Sequence, residues 1–410
     1  MLTKPIFNLG CLGPVSNGKS TVVYQLTGTK TPRHSTEKTR NITIKPGYAN
    51  MKIWQKLDGT FITTNSETII MEDATLVHHL SFVDCPGHQE LILTMMSSVS
   101  LMNGALIVVS ADEPMKNKPQ LLQHLAAAKM AGLTKLIIIF NKLDLVTKEK
   151  AMERKKELDE ILLKLEIVPN YIIPTALNKK IGLQNVIKAI METFPPVISD
   201  SSDITPEFKI TRSFDINKPG VNWDEIQGGV IGGSLISGQL KIGDLIEIRP
   251  GQWSKKKDGT FHVVPILTSI LSIETDKIPL DILTPGGLSA IKTDIDPFYT
   301  KNDKLAGNII GIHGSLPHIY SDITIDVTLI TDFEGYWDMT TEKSVYLQLG
   351  NINTEAELIS YDDKICNFKL SKPSCISDDS LILVCTHTDS DILKICGYGK
   401  LISEKCKIII

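Results

Sequence analysis

Residues 13–21 read GPVSNGKST. Gly13 and Gly18 have four residues between them, and Lys19 and Ser20 follow directly, the spacing of a loop that wraps a phosphate group. Each residue type has a chemical reason to be there. Glycine lets the backbone turn tightly and bring N–H groups against phosphate oxygens, and the start of a following helix adds the positive end of its dipole. The expected phosphate-binding set is Asn17, Gly18, Lys19, Ser20 and Thr21. Lys19 would reach the β- and γ-phosphates, and Ser20 would offer a hydroxyl to Mg2+.

Four further stretches complete a site. VDCPGH (83–88) ends an apolar run at Asp84 and puts Gly87 three residues later. In this D-x-x-G arrangement the carboxylate holds Mg2+ and the glycine N–H senses the γ-phosphate. FNKLD (140–144) contains N-K-x-D, with Asn141, Lys142 and Asp144 as guanine-reading residues. A carboxylate at Asp144 accepts protons from both the ring N–H and the exocyclic amine of guanine. Adenine offers neither, and a site built on such bonds rejects the analogue lacking them by roughly 10⁴-fold. This selects GTP over ATP. PTAL (174–177) brings Thr175, Ala176 and Leu177 to the right point in the order to close over the base, and RNITIKPGYA (40–49) offers Thr43 as a mobile third Mg2+ ligand. Taken singly, VDCPGH also describes a strand-terminal turn and RNITIKPGYA an edge strand. All five in order describe a GTPase domain.

The elements needed to position these loops are legible. Buried-strand runs IFNLGCL, LSFVDC, GALIVVSA, KLIIIFNK and YIIPTA alternate with helical patterns at 20–28, 119–132, 148–165 and 182–194. That alternation predicts a mostly parallel sheet with helices on both faces over residues 1–198. A polar, proline-containing linker follows at 199–206. Beyond it, short β-rich runs separated by glycine turns, such as KIGDLIEI (241–248), predict two all-β barrel domains at 207–320 and 321–410.

Composition narrows the class. The 410 residues are 42% hydrophobic and 22% charged with a formal net charge of −4, so no global field draws the protein to nucleic acid or an anionic membrane. No signal-peptide run or membrane-length apolar stretch occurs, and the seven cysteines include no C-x-x-C pair. The expectation is a cytoplasmic protein with no membrane partner and with reduced thiols used as small hydrophobes.

His88 directly after Gly87 resembles the translational GTPases, and a GTPase domain followed by two barrels resembles elongation factor Tu. NITIKPGYAN, SFVDCPGH, RSFDINKPG, GGVIGGSL, KIGDLIEIRPG, TPGGLSAI and KTDIDP are similar to the gamma subunit of eukaryotic and archaeal translation initiation factor 2. The resemblance covers nearly the whole chain and is weakest at 54–78 and 331–342. It implies a GTP-dependent carrier of initiator methionyl-tRNA, the core of a heterotrimer with alpha and beta subunits, delivering the tRNA to the small ribosomal subunit. It further implies that His88 positions the attacking water, that hydrolysis to GDP releases the tRNA, and that separate GTPase-activating and nucleotide-exchange factors act on the cycle. The tRNA acceptor end is expected between the GTPase domain and the first barrel, with alpha on that barrel and beta on the GTPase domain. Two rivals share the architecture: an elongation-type or selenocysteine-type aminoacyl-tRNA carrier, and the GTPase subunit of a sulfurylase.

The sequence also departs from that family. Many members carry a cysteine zinc knuckle between the two switch segments, whereas residues 44–84 contain no cysteine, so no zinc is expected. Gln89 replaces the usual Asp after the histidine, Ser16-Asn17 replaces Ala-His, and Pro14 lacks an amide donor. No built-in arginine finger is evident, although Arg33 and Arg40 lie near the first switch. SKKKDG (254–259), Arg212, Lys218 and Arg249 are possible RNA-phosphate contacts, set against the commoner reading of a solvated surface.

Overall fold

A computed structural model describes residues 4–31, 46–65, 73–88, 91–115, 118–196, 204–330, 343–378, 380–387 and 393–409. The chain forms two compact units that divide near residue 200.

The first unit is built on a sheet of seven strands: β1 (Phe7–Leu12), β2 (Gly47–Lys56), β3 (Phe61–Asn65), β4 (Ala74–Asp84), β5 (Gly104–Ser110), β6 (Leu136–Asn141) and β7 (Tyr171–Pro174). Their spatial order is β3-β2-β4-β1-β5-β6-β7. The five strands from β4 to β7 run parallel, and β2 and β3 add an antiparallel edge. The helices are α1 (Lys19–Thr27), α2 (Ile92–Val99), α3 (Pro119–Met130), α4 (Lys148–Lys164) and α5 (Leu183–Thr193).

Central strands in such a sheet are covered on both faces and therefore apolar throughout, as GALIVVS and LIIIFN are. On one face Leu9, Leu106, Val108, Ile137 and Ile139 pack with Val22, Val23 and Leu26 of α1 and with Val186, Ile187 and Ile190 of α5. Side chains alternate along a strand, so buried Ile107, Val109 and Ile138 project to the opposite face, where α3 packs on β5 and α2 packs on α3. The charged α4 buries only Leu158 and Leu162, and the Thr147 hydroxyl caps its start by accepting from Lys150 N.

The sequence did not reveal β3, most of β2, the first half of β4 or helix α2. Strand β4 begins at Ala74 rather than near residue 80, because its first half includes His78 and His79, polar residues that are nonetheless fully buried. The α2 segment ILTMMSSV has too many hydroxyls for a clear amphipathic pattern; Ser97 and Ser98 satisfy theirs on the carbonyls of Leu93 and Thr94.

The second unit holds two closed barrels. The first uses β8 (Glu207–Phe214), β9 (Val230–Ser237), β10 (Leu240–Lys241), β11 (Leu245–Lys255), β12 (Phe261–Thr275), β13 (Ile278–Leu280), β14 (Ile282–Leu283), β15 (Ser289–Thr293) and β16 (Ile309–Ile312). Six of these, in the order β11-β16-β8-β9-β15-β12, close through β11–β12 pairing. The second uses β17 (Ile319–Leu329), β18 (Ser344–Leu349), β19 (Ile352–Asp362), β20 (Ile365–Cys375), β21 (Leu381–His387), β22 (Leu393–Leu401) and β23 (Lys407–Ile408), and it closes through β17–β20 pairing. Closure removes the open edges that β-sheets otherwise expose. Each barrel has its own apolar core, with Phe208, Ile246, Ile270 and Ile291 in the first and Tyr320, Leu347, Phe368 and Val384 in the second.

A buried ion pair fixes the segment that joins the barrels. Arg249 Nε donates to Glu247 Oε1 at 2.5 Å, and Arg249 Nη1 donates to the carbonyls of Leu316 and Pro317 at 3.0 and 2.9 Å. Glu247 Oε2 accepts from Gly314 N at 2.9 Å. Arg249 is thus occupied inside the protein and is removed from the possible RNA contacts. Arg212 is likewise paired, with Asp303 at 2.9 Å.

Candidate guanine-nucleotide site

Strand β1 delivers the chain to Gly13, and the loop closes at Gly18, where α1 begins. Both glycines are required by geometry. Gly13 has φ 133° and a Cβ there would lie 2.3 Å from Val108 O; Gly18 has φ 100° and its Cβ would lie 2.7 Å from Asn141 Nδ2. No side chain caps the N-terminus of α1 and no acidic residue lies in its first turn, so its leading amides are left for an anion. Lys19, 7% exposed, curls back and donates to Gly13 O and Pro14 O, each at 2.8 Å. Burial lowers its pKa, and the neighbouring Asp84 opposes the shift. Ser20 and Thr21 follow in the first helical turn.

Asp84 ends β4 fully buried, and its Oδ2 accepts from Ser20 Oγ at 2.8 Å and from Thr31 Oγ1 at 2.5 Å. The hydroxyl and the carboxylate named from sequence therefore meet across 64 residues. They make a hard-oxygen pair beside the phosphate loop, a donor set that suits Mg2+. Thr31 is an addition that no motif signals. Thr43 lies outside the described residues, as do Arg33, Arg40 and Gln89. Gly87 packs on the phosphate loop: its Cβ would fall 2.4 Å from Lys19 Nζ and 2.9 Å from both Gly13 O and Val15 N. His88 is half-buried, and its Nε2 is sealed from solvent with no hydrogen-bond partner among the described residues.

On the base side, β6 ends at Asn141, Lys142 takes a left-handed φ of 61°, and a short 3₁₀ turn carries Asp144. Asn141 is 4% exposed. Its Nδ2 donates to Asn17 O at 3.2 Å, and its Oδ1 accepts from Thr175 Oγ1 and Leu177 N, each at 3.2 Å. Thr175, Ala176 and Leu177 are all buried. Lys142 pairs with Asp112 at 2.8 Å. Asp144 Oδ2 accepts from Lys179 Nζ at 3.1 Å and Asn178 Nδ2 at 3.3 Å, and the Lys179 contact holds the carboxyl below the usual carboxylate range. Asp144 Oδ1 is buried and has no partner among the described residues. An orphaned carboxylate oxygen beside a polar rim fits a ligand that brings N–H donors, as guanine does.

The residues missed in the sequence are those that hold the motif residues in place. Lys118 Nζ donates to Asn17 Oδ1 at 3.1 Å and pairs with Glu113 at 2.8 Å. Asn178 and Lys179 follow Leu177 directly, but they lie far from Asp144 in the chain and no local pattern signals that contact. His124 Nδ1 accepts from Gly13 N at 3.2 Å and belongs to no motif.

The family of the elongation factor Tu GTP binding domain matches residues 4–196. A eukaryotic translation initiation factor 2 subunit gamma from Encephalitozoon cuniculi is 34% identical over 99% of this chain and 94% of its own length. The chain belongs to the translation initiation factor 2 subunit gamma family. The archaeal translation initiation factor 2 subunit gamma of Methanocaldococcus jannaschii agrees, at 36% identity over 96% of each chain. This member of the gamma-subunit family is accordingly a GTPase that binds guanine nucleotide. Among solved structures, a bacterial selenocysteine-specific elongation factor superposes with a TM-score of 0.73 at 20% identity, over 97% of this chain and 58% of that one. The elongation factor SelB of Methanococcus maripaludis, solved with the GTP analogue GppNHp, gives 0.72 at 19% identity, over 98% of this chain and 80% of that one. Those likenesses are of fold alone, and they show that gamma-subunit and selenocysteine factors share the arrangement of a GTPase domain and two barrels.

Proposed function

We propose that this chain is the GTP-switched carrier of initiator methionyl-tRNA, working in the cytoplasm with alpha and beta subunits and delivering its cargo to the small ribosomal subunit. The observation that carries the nucleotide half of this reading is Asn141. One buried amide bonds Asn17 of the phosphate loop and Leu177 of the base-side loop, so the two halves form a single site. The names of the relatives support the tRNA half.

In this reading the amides of Asn17, Gly18, Lys19, Ser20 and Thr21 cradle the phosphates. Lys19 exchanges its carbonyl partners for β- and γ-oxygens, and the Gly87 N–H reports the γ-phosphate. Asp144 accepts the two guanine donors, while Asn141, Lys142, Thr175, Ala176 and Leu177 frame the base. Ser20, Asp84 and Thr43 would hold Mg2+, which when bound neutralises phosphate charge. His88 orients a water whose oxygen attacks the γ-phosphorus as the bond to the bridging β–γ oxygen breaks, leaving GDP and phosphate. A GTPase-activating factor would speed this step, and an exchange factor would reload the site.

Filter binding of initiator and elongator Met-tRNA, each in GTP and in GDP, tests the proposal. Retention of initiator tRNA in GTP alone is the expected result. Equal retention in both nucleotides, or preference for the elongator, overturns it.

A further inference from the structure

We propose that Thr31, a residue in none of the motifs, is a positioning residue for Mg2+, its hydroxyl holding the Asp84 carboxylate in the orientation that metal binding uses. The proposal rests on the reading of Ser20 and Asp84 as Mg2+ ligands and adds a residue that acts through one of them.

Helix α1 ends at Gly28, and three residues later Thr31 is 4% exposed. Its Oγ1 donates to Asp84 Oδ2 at 2.5 Å, the same oxygen that accepts from Ser20 Oγ at 2.8 Å. Two hydroxyls from opposite ends of α1 thus converge on one carboxylate oxygen. Asp84 is fully buried, so protein donors rather than bulk water set the direction in which its carboxylate points.

The strand register makes room for this arrangement. Asp84, the last residue of β4, lies opposite Gly47, the first residue of β2. A Cβ at Gly47 would fall 2.6 Å from Thr31 Cβ and 3.2 Å from Thr31 Cγ2. Thr31 therefore packs onto the Gly47–Asp84 pair and makes two separable contacts, its carbon side on the glycine and its hydroxyl on the carboxylate.

The two hydroxyls have different duties. Ser20 gives its proton to Asp84 and keeps its oxygen lone pairs for a cation. Thr31 supplies the second donor, so the carboxylate stays oriented without relying on Ser20 alone. Removing such a partner from a metal-binding carboxylate costs about 10-fold to 100-fold in metal affinity.

Release of GppNHp from the full chain, followed in EDTA and then as Mg2+ is titrated, reads the metal apart from hydrolysis. Thr31→Val keeps the packing on Gly47 and loses the hydroxyl, whereas Thr31→Ser keeps the hydroxyl and loses the methyl. In the valine variant the Mg2+ concentration that half-maximally slows release should rise by about tenfold or more. Its release in EDTA should stay within about twofold of wild type, and the serine variant should stay within about threefold in both measurements. A shift below about threefold in the valine variant overturns the proposal, as does an equal shift in the serine variant, which would mark the role as packing. Release in EDTA accelerated by the same factor also overturns it, because the nucleotide contacts themselves would then be damaged. Thr31→Ala is a second variant without the hydroxyl; if it and the valine variant both fail to fold, the hydroxyl is a structural requirement and the proposal falls. An Asp84→Ala control separates the layers. If its release keeps the wild-type dependence on Mg2+, the reading of the metal site fails; if that dependence is lost while the Thr31 variants behave as wild type, only the present proposal fails.

Discussion

Asn141 and Asn17 are joined across the end of the sheet, the Asn141 amide donating to the Asn17 carbonyl at 3.2 Å although 124 residues separate them. The bond passes over β5, which lies between β1 and β6. It makes the shape of the phosphate loop depend on the base-side loop. Removing the amide in Asn141→Ala leaves Asn17 O, Thr175 Oγ1 and Leu177 N without this partner, at a cost of about 1–3 kcal/mol. GTP and GDP affinity should fall together, by about tenfold to 100-fold, because both nucleotides use both halves of the site. Titration of each nucleotide checks this, and a loss confined to GTP contradicts it.

Asp144→Asn should move preference from guanine toward xanthine nucleotides. Xanthine has an acceptor where guanine has its exocyclic amine, and the new amide supplies a matching donor. Competition between GTP and XTP reads the change directly. An unaltered preference for GTP would mean that the buried Oδ1 of Asp144 does not meet the base.

Gly87→Ala should impair hydrolysis more than it impairs folding. The added methyl would meet Lys19 Nζ at 2.4 Å, a flexible end that can move, but also Gly13 O and Val15 N at 2.9 Å, which cannot move freely. The lysine is displaced and the two loops are forced apart. A fall of about tenfold or more in single-turnover rate, with a melting temperature near that of wild type, is the expected outcome.

Acid should weaken the GTPase unit through its buried histidines. His124 is neutral in the folded protein with a pKa of about 3, whereas the unfolded chain takes up that proton near its ordinary value of 6.5. The folded state therefore binds fewer protons between those values, and stability declines as pH falls through that window, by up to about 1.4 kcal/mol per pH unit. His78, also lowered by burial, adds the same sign. Denaturant midpoints measured from neutral pH downward should fall, and His124→Gln should flatten the decline without abolishing it.

In the barrel unit, Arg249→Leu should destabilise by about 3 kcal/mol, because it removes the arginine partner of the buried Glu247 carboxylate, leaving it Gly314 N and His313 Nδ1, and unpairs the carbonyls of Leu316 and Pro317. Replacing both Glu247 and Arg249 by leucine should recover most of that loss. Chemical denaturation of the three variants distinguishes a stranded charge from a simple loss of packing.

The short-range features were determined by the chain itself. Gly13, Gly18, Lys19 and Ser20 mark a candidate phosphate loop because glycines of that spacing let backbone amides close around a phosphate. GALIVVS and LIIIFN declare central strands because only strands buried on both faces are apolar throughout. The N-K-x-D stretch carries the expectation of a guanine reader through its carboxylate, and glycine-punctuated alternation announces barrels.

Tertiary structure decided what no local pattern encodes. Its long-range partners include Thr31 on Asp84, Lys118 on Asn17, and His124 on Gly13. It also decided that Arg249, a surface cation by composition, lies inside, bound to Glu247 and two carbonyls. Hydrogen bonds between residues about a hundred positions apart leave no period or spacing in a sequence. They arise only when the sheet brings separate loops to one end, and the cost of burying an unpaired polar group then selects which side chains meet.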